Sequence, residues 1–221
     1  VDFGPDGAMY FVTGGRRTQS GLYRVRYVGG EPQPSLGQAA AGKAKRAREL
    51  RRRLEQFHSE RSIEGIGLAW EHLGSDDPWI RHAARVALEN QTLAQWQLPA
   101  LTESNTEKAL TAIMALARVG EAGLQSQLFA RLNDLPWEGL AAQWQLVALR
   151  AYQLCFTRMG DGQAADRDAI IKKIVAATEK SPEVRMEVSR LLIYLKAPGI
   201  VPGLLNYVVD AASPEERLFY L

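Results

Sequence analysis

The chain has 221 residues, 46% hydrophobic and 24% charged, with 27 Lys and Arg against 25 Asp and Glu. A net charge of +2 excludes a strong global field for nucleic acid or an anionic membrane, and the single cysteine excludes an internal disulfide. No apolar run approaches the roughly 20 residues that span a bilayer, and the composition is that of an ordinary globular protein able to bury a core.

Residues 1–30 differ from everything after them. GPDG at residues 4–7 is a turn signal in which Asp2 and Asp6 are expected to set turn geometry, and AMYFVT at residues 8–13 is a β-rich run. A second strand is expected over residues 21–28, where Tyr23, Val25 and Tyr27 alternate with Arg24 and Arg26. Two or three strands are marginal in water alone, so this piece reads as part of a larger sheet. Residues 31–42, EPQPSLGQAAAG, carry two Pro and two Gly and almost no bulky apolar side chain, which is the composition of a linker and domain boundary.

From residue 43 to residue 221 the pattern is helical. Ala47, Leu50, Leu54 and Phe57 form one apolar stripe, with Lys45, Arg46, Arg48, Arg52 and Arg53 opposite. Further helices are expected over residues 62–73, 75–90, 93–101, 106–119, 124–132, 139–158, 168–178, 182–195 and 200–211, with a short capped helix from residue 213. Gly120 is expected to take the left-handed conformation after its helix, and residues 160–166 to form a loop.

The segment SDDPWIRHAARVALEN at residues 75–90 organises this region. Ser75, Asp76 or Asp77 can cap the free N–H groups, and Pro78 suits the first helical position, where its missing N–H is no loss. Ile80, Ala83, Ala84, Ala87 and Leu88 then share a face opposite Arg81, Arg85 and Glu89. A Pro followed three residues later by an Arg returns at Pro182 and Arg185 and again at Pro214 and Arg217. Residues 78 and 182 lie about three repeat lengths apart, and 182 and 214 about one, slightly short of the roughly 40 residues of a HEAT unit. Hairpins that cannot each bury a stripe alone form a continuous core when stacked, so the fold expected is mainly α, a HEAT-like α-solenoid (α-α superhelix) preceded by a short β-hairpin. A globular helical bundle is the rival built from the same stripes.

No catalytic or cofactor motif stands out. His58, His72 and His82 share no metal-ligand spacing, and Asp161, Asp166 and Asp168 in GDGQAADRD miss the calcium-loop pattern and its closing Glu. Cys155, between Leu154 and Phe156, reads as a buried thiol. Trp70, Trp79, Trp96, Trp137 and Trp144 are expected to fill the seams between repeats. The basic run Lys43, Lys45, Arg46, Arg48, Arg51, Arg52 and Arg53 is a candidate interaction patch. It occupies one helix without interleaved aromatic residues, which argues against nucleic acid and for a solvated outer face or a contact with another domain.

PWIRHAARVALEN at residues 78–90 resembles a HEAT repeat, and MEVSRLLIYLKAPGIVPGLLNYVVDAASPEERLFYL at residues 186–221 resembles the HEAT array of large bacterial haem-binding proteins. Those proteins join a sugar-dehydrogenase-like β-propeller, a HEAT region and a C-terminal cytochrome c module. VDFGPDGAMYFV and GLYRVRYVG are similar to the closing blade of a propeller of the quinoprotein glucose dehydrogenase type, in the matching order. The resemblance implies a parent oxidoreductase, periplasmic or exported, with haem c and a pyrroloquinoline quinone (PQQ) elsewhere in it. This chain would be a non-catalytic internal segment that takes the other domains of its parent as partners. An independent HEAT-repeat scaffold binding another protein is the alternative. The family's haem needs Cys-x-x-Cys-His, whereas Cys155 is followed by Phe156 and Thr157, so no cofactor is expected here and no functional residue carries over.

Overall fold

The structure is a computed structural model that describes residues 1–4, 6, 8–15, 19–29, 38–137, 139–176 and 181–221. It is mainly helical with a small antiparallel sheet, and it divides into two units, Val1–Ala44 and Lys45–Leu221.

The first unit holds β1 (Asp2–Phe3), β2 (Met9–Thr13) and β3 (Gly21–Val25), paired antiparallel in the order β1-β2-β3. Register places Phe11 opposite Tyr23, and their rings stack with centroids 5.2 Å apart. The strand expected to reach residue 28 stops at Val25. Of the GPDG turn, Pro5 and Gly7 lie outside the described residues, but Asp6 ties it to the sheet. Its Oδ1 accepts from the Ala8 N–H at 3.2 Å, and its Oδ2 accepts from the Tyr10 hydroxyl at 3.0 Å and Arg24 Nε at 3.0 Å. The Ala8 N–H and then Arg24 hold the Asp6 carboxyl below its usual range. Phe3, Val12, Leu22, Tyr23 and Val25 are all exposed, so the sheet presents apolar side chains to solvent.

Residues 31–37 of the expected linker lie outside the described residues. Its last part is helical, because α1 spans Gln38–Gln56 and opens on Gln and three Ala, all good helix formers. The second unit continues with α2 (Ile63–His72), α3 (Pro78–Glu89), a 3₁₀ turn (Leu93–Gln95), α4 (Gln97–Thr102), α5 (Thr106–Val119), α6 (Gln125–Asp134), α7 (Ala142–Met159), α8 (Ala164–Ala176), α9 (Pro182–Tyr194), α10 (Ile200–Asp210) and α11 (Pro214–Tyr220). The single helix expected over residues 93–101 is broken at Trp96, and Pro99 falls in the first turn of α4, where it lacks no necessary N–H. Helix α8 begins at Ala164, four residues before the expected start, so Asp166, expected in the loop, is helical, and residues 177–178 of the expected helix lie outside the described residues.

Local chemistry sets several helix starts. Asp77 Oδ1 accepts from Trp79 N at 2.9 Å and Ile80 N at 3.3 Å, with Pro78 in the first turn. Ser213 Oγ accepts from Glu216 N at 3.1 Å, while Glu216 reaches back to Ala212 N at 3.0 Å, close to a capping box. Gly120 is extended, with φ −70° and ψ 161°, and so does not take the left-handed conformation expected of it. Glycine is needed there for another reason: a Cβ would stand 2.6 Å from the Leu116 carbonyl oxygen.

Helices α3, α5, α7 and α9 pack each on the next, α11 lies against α9, and α4, α6 and α8 follow one another beside them. The three Pro-x-x-Arg helices therefore belong to one row, and the two helices between α3 and α9 begin without Pro. Alanines make the close approaches: Ala83, Ala84 and Ala87 on α3, Ala109, Ala112 and Ala115 on α5, and Ala148 and Ala151 on α7 are all buried. Gln91 is buried and stitches two layers. Its Nε2 lies within hydrogen-bond range of the carbonyls of Phe57, Glu60 and Ala87 at 3.0–3.1 Å, and its Oε1 accepts from Ser62 N at 2.8 Å.

Ala84 is wholly buried, so Ala84→Arg is expected to cost on the order of 3 kcal/mol or more in urea unfolding, through an unpaired buried charge and overpacking. Gln91→Ala is expected to cost about 2 kcal/mol, because it strands the Ser62 N–H and two loop carbonyls.

Candidate functional site

The basic run predicted as an interaction patch lies on α1, with Lys43, Lys45, Arg46, Arg48, Arg52 and Arg53 exposed and Arg51 half-buried. Lys45 pairs with Glu49 at 3.9 Å and Arg51 with Glu55 at 3.1 Å, each one turn along the same helix. Intrahelical pairing of this kind neutralises part of the run and contributes only a few tenths of a kcal/mol.

The repeat-marking residues take defined places. Pro78, Pro182 and Pro214 open α3, α9 and α11. Arg81 is not on a solvated face: its guanidinium donates to the Ser75 carbonyl and lies 4.7 Å from the ring centroid of Trp144 on α7. Arg185 reaches Glu216 on α11 at 2.6 Å and lies over the Tyr207 ring of α10 at 5.3 Å. Arg217 is exposed. Trp96, Trp137 and Trp144 are buried, but Trp79 is 70% exposed, contrary to the seam-filling role expected of it, because its position in the first turn of α3 points away from the Ala face.

Cys155 is fully buried. Burial pushes its thiol up to about 12, and the Arg158 charge only partly opposes this. No His stands near it in sequence, so a covalently attached haem does not fit these residues. The quinone site implied for a propeller draws on loops of several blades, which one three-stranded sheet does not supply. Among the described residues no group of three or more His, Cys, Asp or Glu is placed to hold a metal, and no helix is long and apolar enough to cross a membrane.

The feature with most chemistry is a groove of about 620 Å³ between α7 and α9. On α7, Leu146, Arg150, Gln153 and Thr157 fall at i, i+4, i+7 and i+11, and on α9 Glu187, Arg190, Leu191 and Tyr194 fall at i, i+3, i+4 and i+7, so each wall is one helix face. Gln153 Nε2 crosses the groove to Glu187 Oε2 at 2.7 Å, Arg190 pairs with Glu187 Oε1, and Arg150 Nη1 approaches Gln153 Oε1 at 3.4 Å. Arg190 also lies 4.8 Å from the Phe219 ring of α11. At the end of the groove the Tyr194 hydroxyl donates to Asp161 Oδ1 at 2.8 Å, a bond that, with burial, raises the phenol above its usual range. Behind it, the Phe156 ring lies tilted against Tyr194 at 5.2 Å and against Phe129 at 4.8 Å.

This groove combines a fixed carboxylate, two guanidiniums and an apolar floor, a combination suited to binding. Sequence reasoning passed over it. Periodicity marked α7 by its apolar residues, and the signal available was the polar spacing Arg150, Gln153, Thr157 on an otherwise buried helix.

Comparison of the chain with protein-family models, with curated proteins and with solved structures finds no match in any of the three.

Cys155 is expected to resist 5,5′-dithiobis(2-nitrobenzoate) at pH 8, where about one folded thiol in ten thousand is ionised, and to react at once in urea. Because its folded pKa lies above the unfolded value near 8.5, its share of stability is intact below about pH 8.5 and is lost as the pH rises towards 12. Rapid labelling of the folded chain at pH 8 would contradict this placement.

Proposed function

We propose that this chain is a non-catalytic scaffold segment, a partial β-propeller blade followed by a HEAT-like α-solenoid. In its parent, an exported dehydrogenase-cytochrome c protein, it holds a sugar-dehydrogenase-like propeller at a set distance from a haem domain. The observation that carries this reading is α10. Its sequence IVPGLLNYVVD has one charged residue, yet none of its residues is buried, and Leu205 and Val209 are 57% and 79% exposed. Leu218 and Leu221 at the α11 end are exposed as well. An exposed apolar helix of this kind is a surface for a further layer or domain. Two other features support the reading: the exposed apolar faces of the three-stranded sheet, which suit a blade among blades, and the successive packing of α3, α5, α7 and α9.

The groove between α7 and α9 favours a second reading, in which the helical unit is itself a protein-interaction scaffold. The two readings differ in what surrounds the segment. Sequencing the flanking gene is expected to find further blade repeats upstream and a Cys-x-x-Cys-His downstream, and a reading frame with neither would overturn the first. Leu205→Asp and Val209→Asp are expected to leave the stability of the present chain unchanged within about 0.5 kcal/mol, since both positions face solvent. A larger loss would show that this face is already occupied.

A further inference from the structure

We propose that the groove between α7 and α9 binds a short acidic peptide segment that carries one bulky apolar side chain. Charge complementarity points to this occupant. Both oxygens of Glu187 are engaged, one by Gln153 and one by Arg190, so that carboxylate is already neutralised where it stands. Arg150 has no carboxylate partner among the described residues, and its guanidinium meets only the amide of Gln153, at 3.4 Å, across this face. One positive charge is therefore left uncompensated beside a second guanidinium that the Glu187 pair and the Phe219 ring hold in place. The Arg190 guanidinium, fixed in this way, presents its remaining N–H donors to a planar carboxylate at low entropic cost.

The floor supplies the other half of the recognition. Leu146, Phe156 and Leu191 line the same groove as the two arginines, which suits an aliphatic or aromatic side chain and not the solvated backbone of a polyphosphate. From residue 146 to residue 157 the α7 wall runs about 16 Å at the helical rise. That length accommodates about five extended residues. Neither the Cys155 thiol nor any metal takes part, so the prediction concerns affinity alone.

The test is fluorescence anisotropy on the full chain with a fluorescein-labelled peptide of sequence DELFED and a control of sequence KKLFKK. Two variants at exposed positions accompany it: Arg150→Glu, which reverses the uncompensated charge, and Thr157→Trp, which fills the groove without changing charge. Saturable binding of DELFED, weakened about tenfold or more in each variant and by added salt, with no saturable binding of KKLFKK, is the expected result. Failure of DELFED to saturate, equal binding of KKLFKK, or affinity unchanged in both variants would overturn the proposal. Thermal melts matching the parent confirm that the variants are folded, and since they alter different properties, a folding defect in one leaves the other decisive.

Discussion

Helix α5 imposes the constraint on which the helical unit depends. Eight of its residues, Ala109 to Ile113 and Ala115 to Ala117, are buried, with only the half-buried Met114 between them, so it must be met by neighbours on almost every side. Small side chains make this possible, with Ala faces of α3 and α7 closing on it, and buried polar groups have to be satisfied locally, as when Thr111 Oγ1 donates to the Glu107 carbonyl at 3.1 Å. A buried helix also ends in carbonyls that no residue of its own can satisfy. Arg158 of α7 donates to the Ala117 carbonyl at 2.8 Å and so closes that end.

The same device recurs through the unit. Arg61 donates to Asn90 at 3.1 Å, Arg131 to Glu103 at 2.5 Å, and Lys173 to Asn133 and Leu135 at 2.6 Å each, all to carbonyls at or just past helix C-termini. A cation at the negative end of a helix dipole gains both the hydrogen bond and the charge interaction. Each bond joins one layer to another, which couples the layers more tightly than apolar stripes alone. Where α7 turns from α5 to α9, the facing side chains change from Ala to Arg150, Gln153, Glu187 and Arg190, and long polar side chains leave the groove open between them.

Much of the helical pattern was legible in the residues. The expected bounds of α5 match those found, because Asn105 caps one end and Gly120 stops the other, and Pro78 and Asp77 mark the start of α3 without ambiguity. Chemistry that acts across space was not legible. Arg81 reads as a solvated residue on a helical wheel, but Trp144, far along the chain, gives it a ring to cover. Gln91 reads as a loop residue until three backbone groups from the turn between α1 and α2, together with the Ala87 carbonyl of α3, converge on its amide. The groove was missed for the same reason: its two walls are 30 or more residues apart in sequence, and neither is unusual by itself.

The proposed array makes each layer depend on its immediate neighbours and not on the whole. Removing α10 and α11 by deleting residues 200–221, then following urea unfolding by tryptophan fluorescence, tests this most directly, since all five tryptophans precede residue 200. An array predicts a midpoint shared with the full chain, because Trp96 and Trp144 keep their own layers. A large fall in midpoint, or loss of the cooperative transition, would mean that the helices close on one common core, and the account would be wrong.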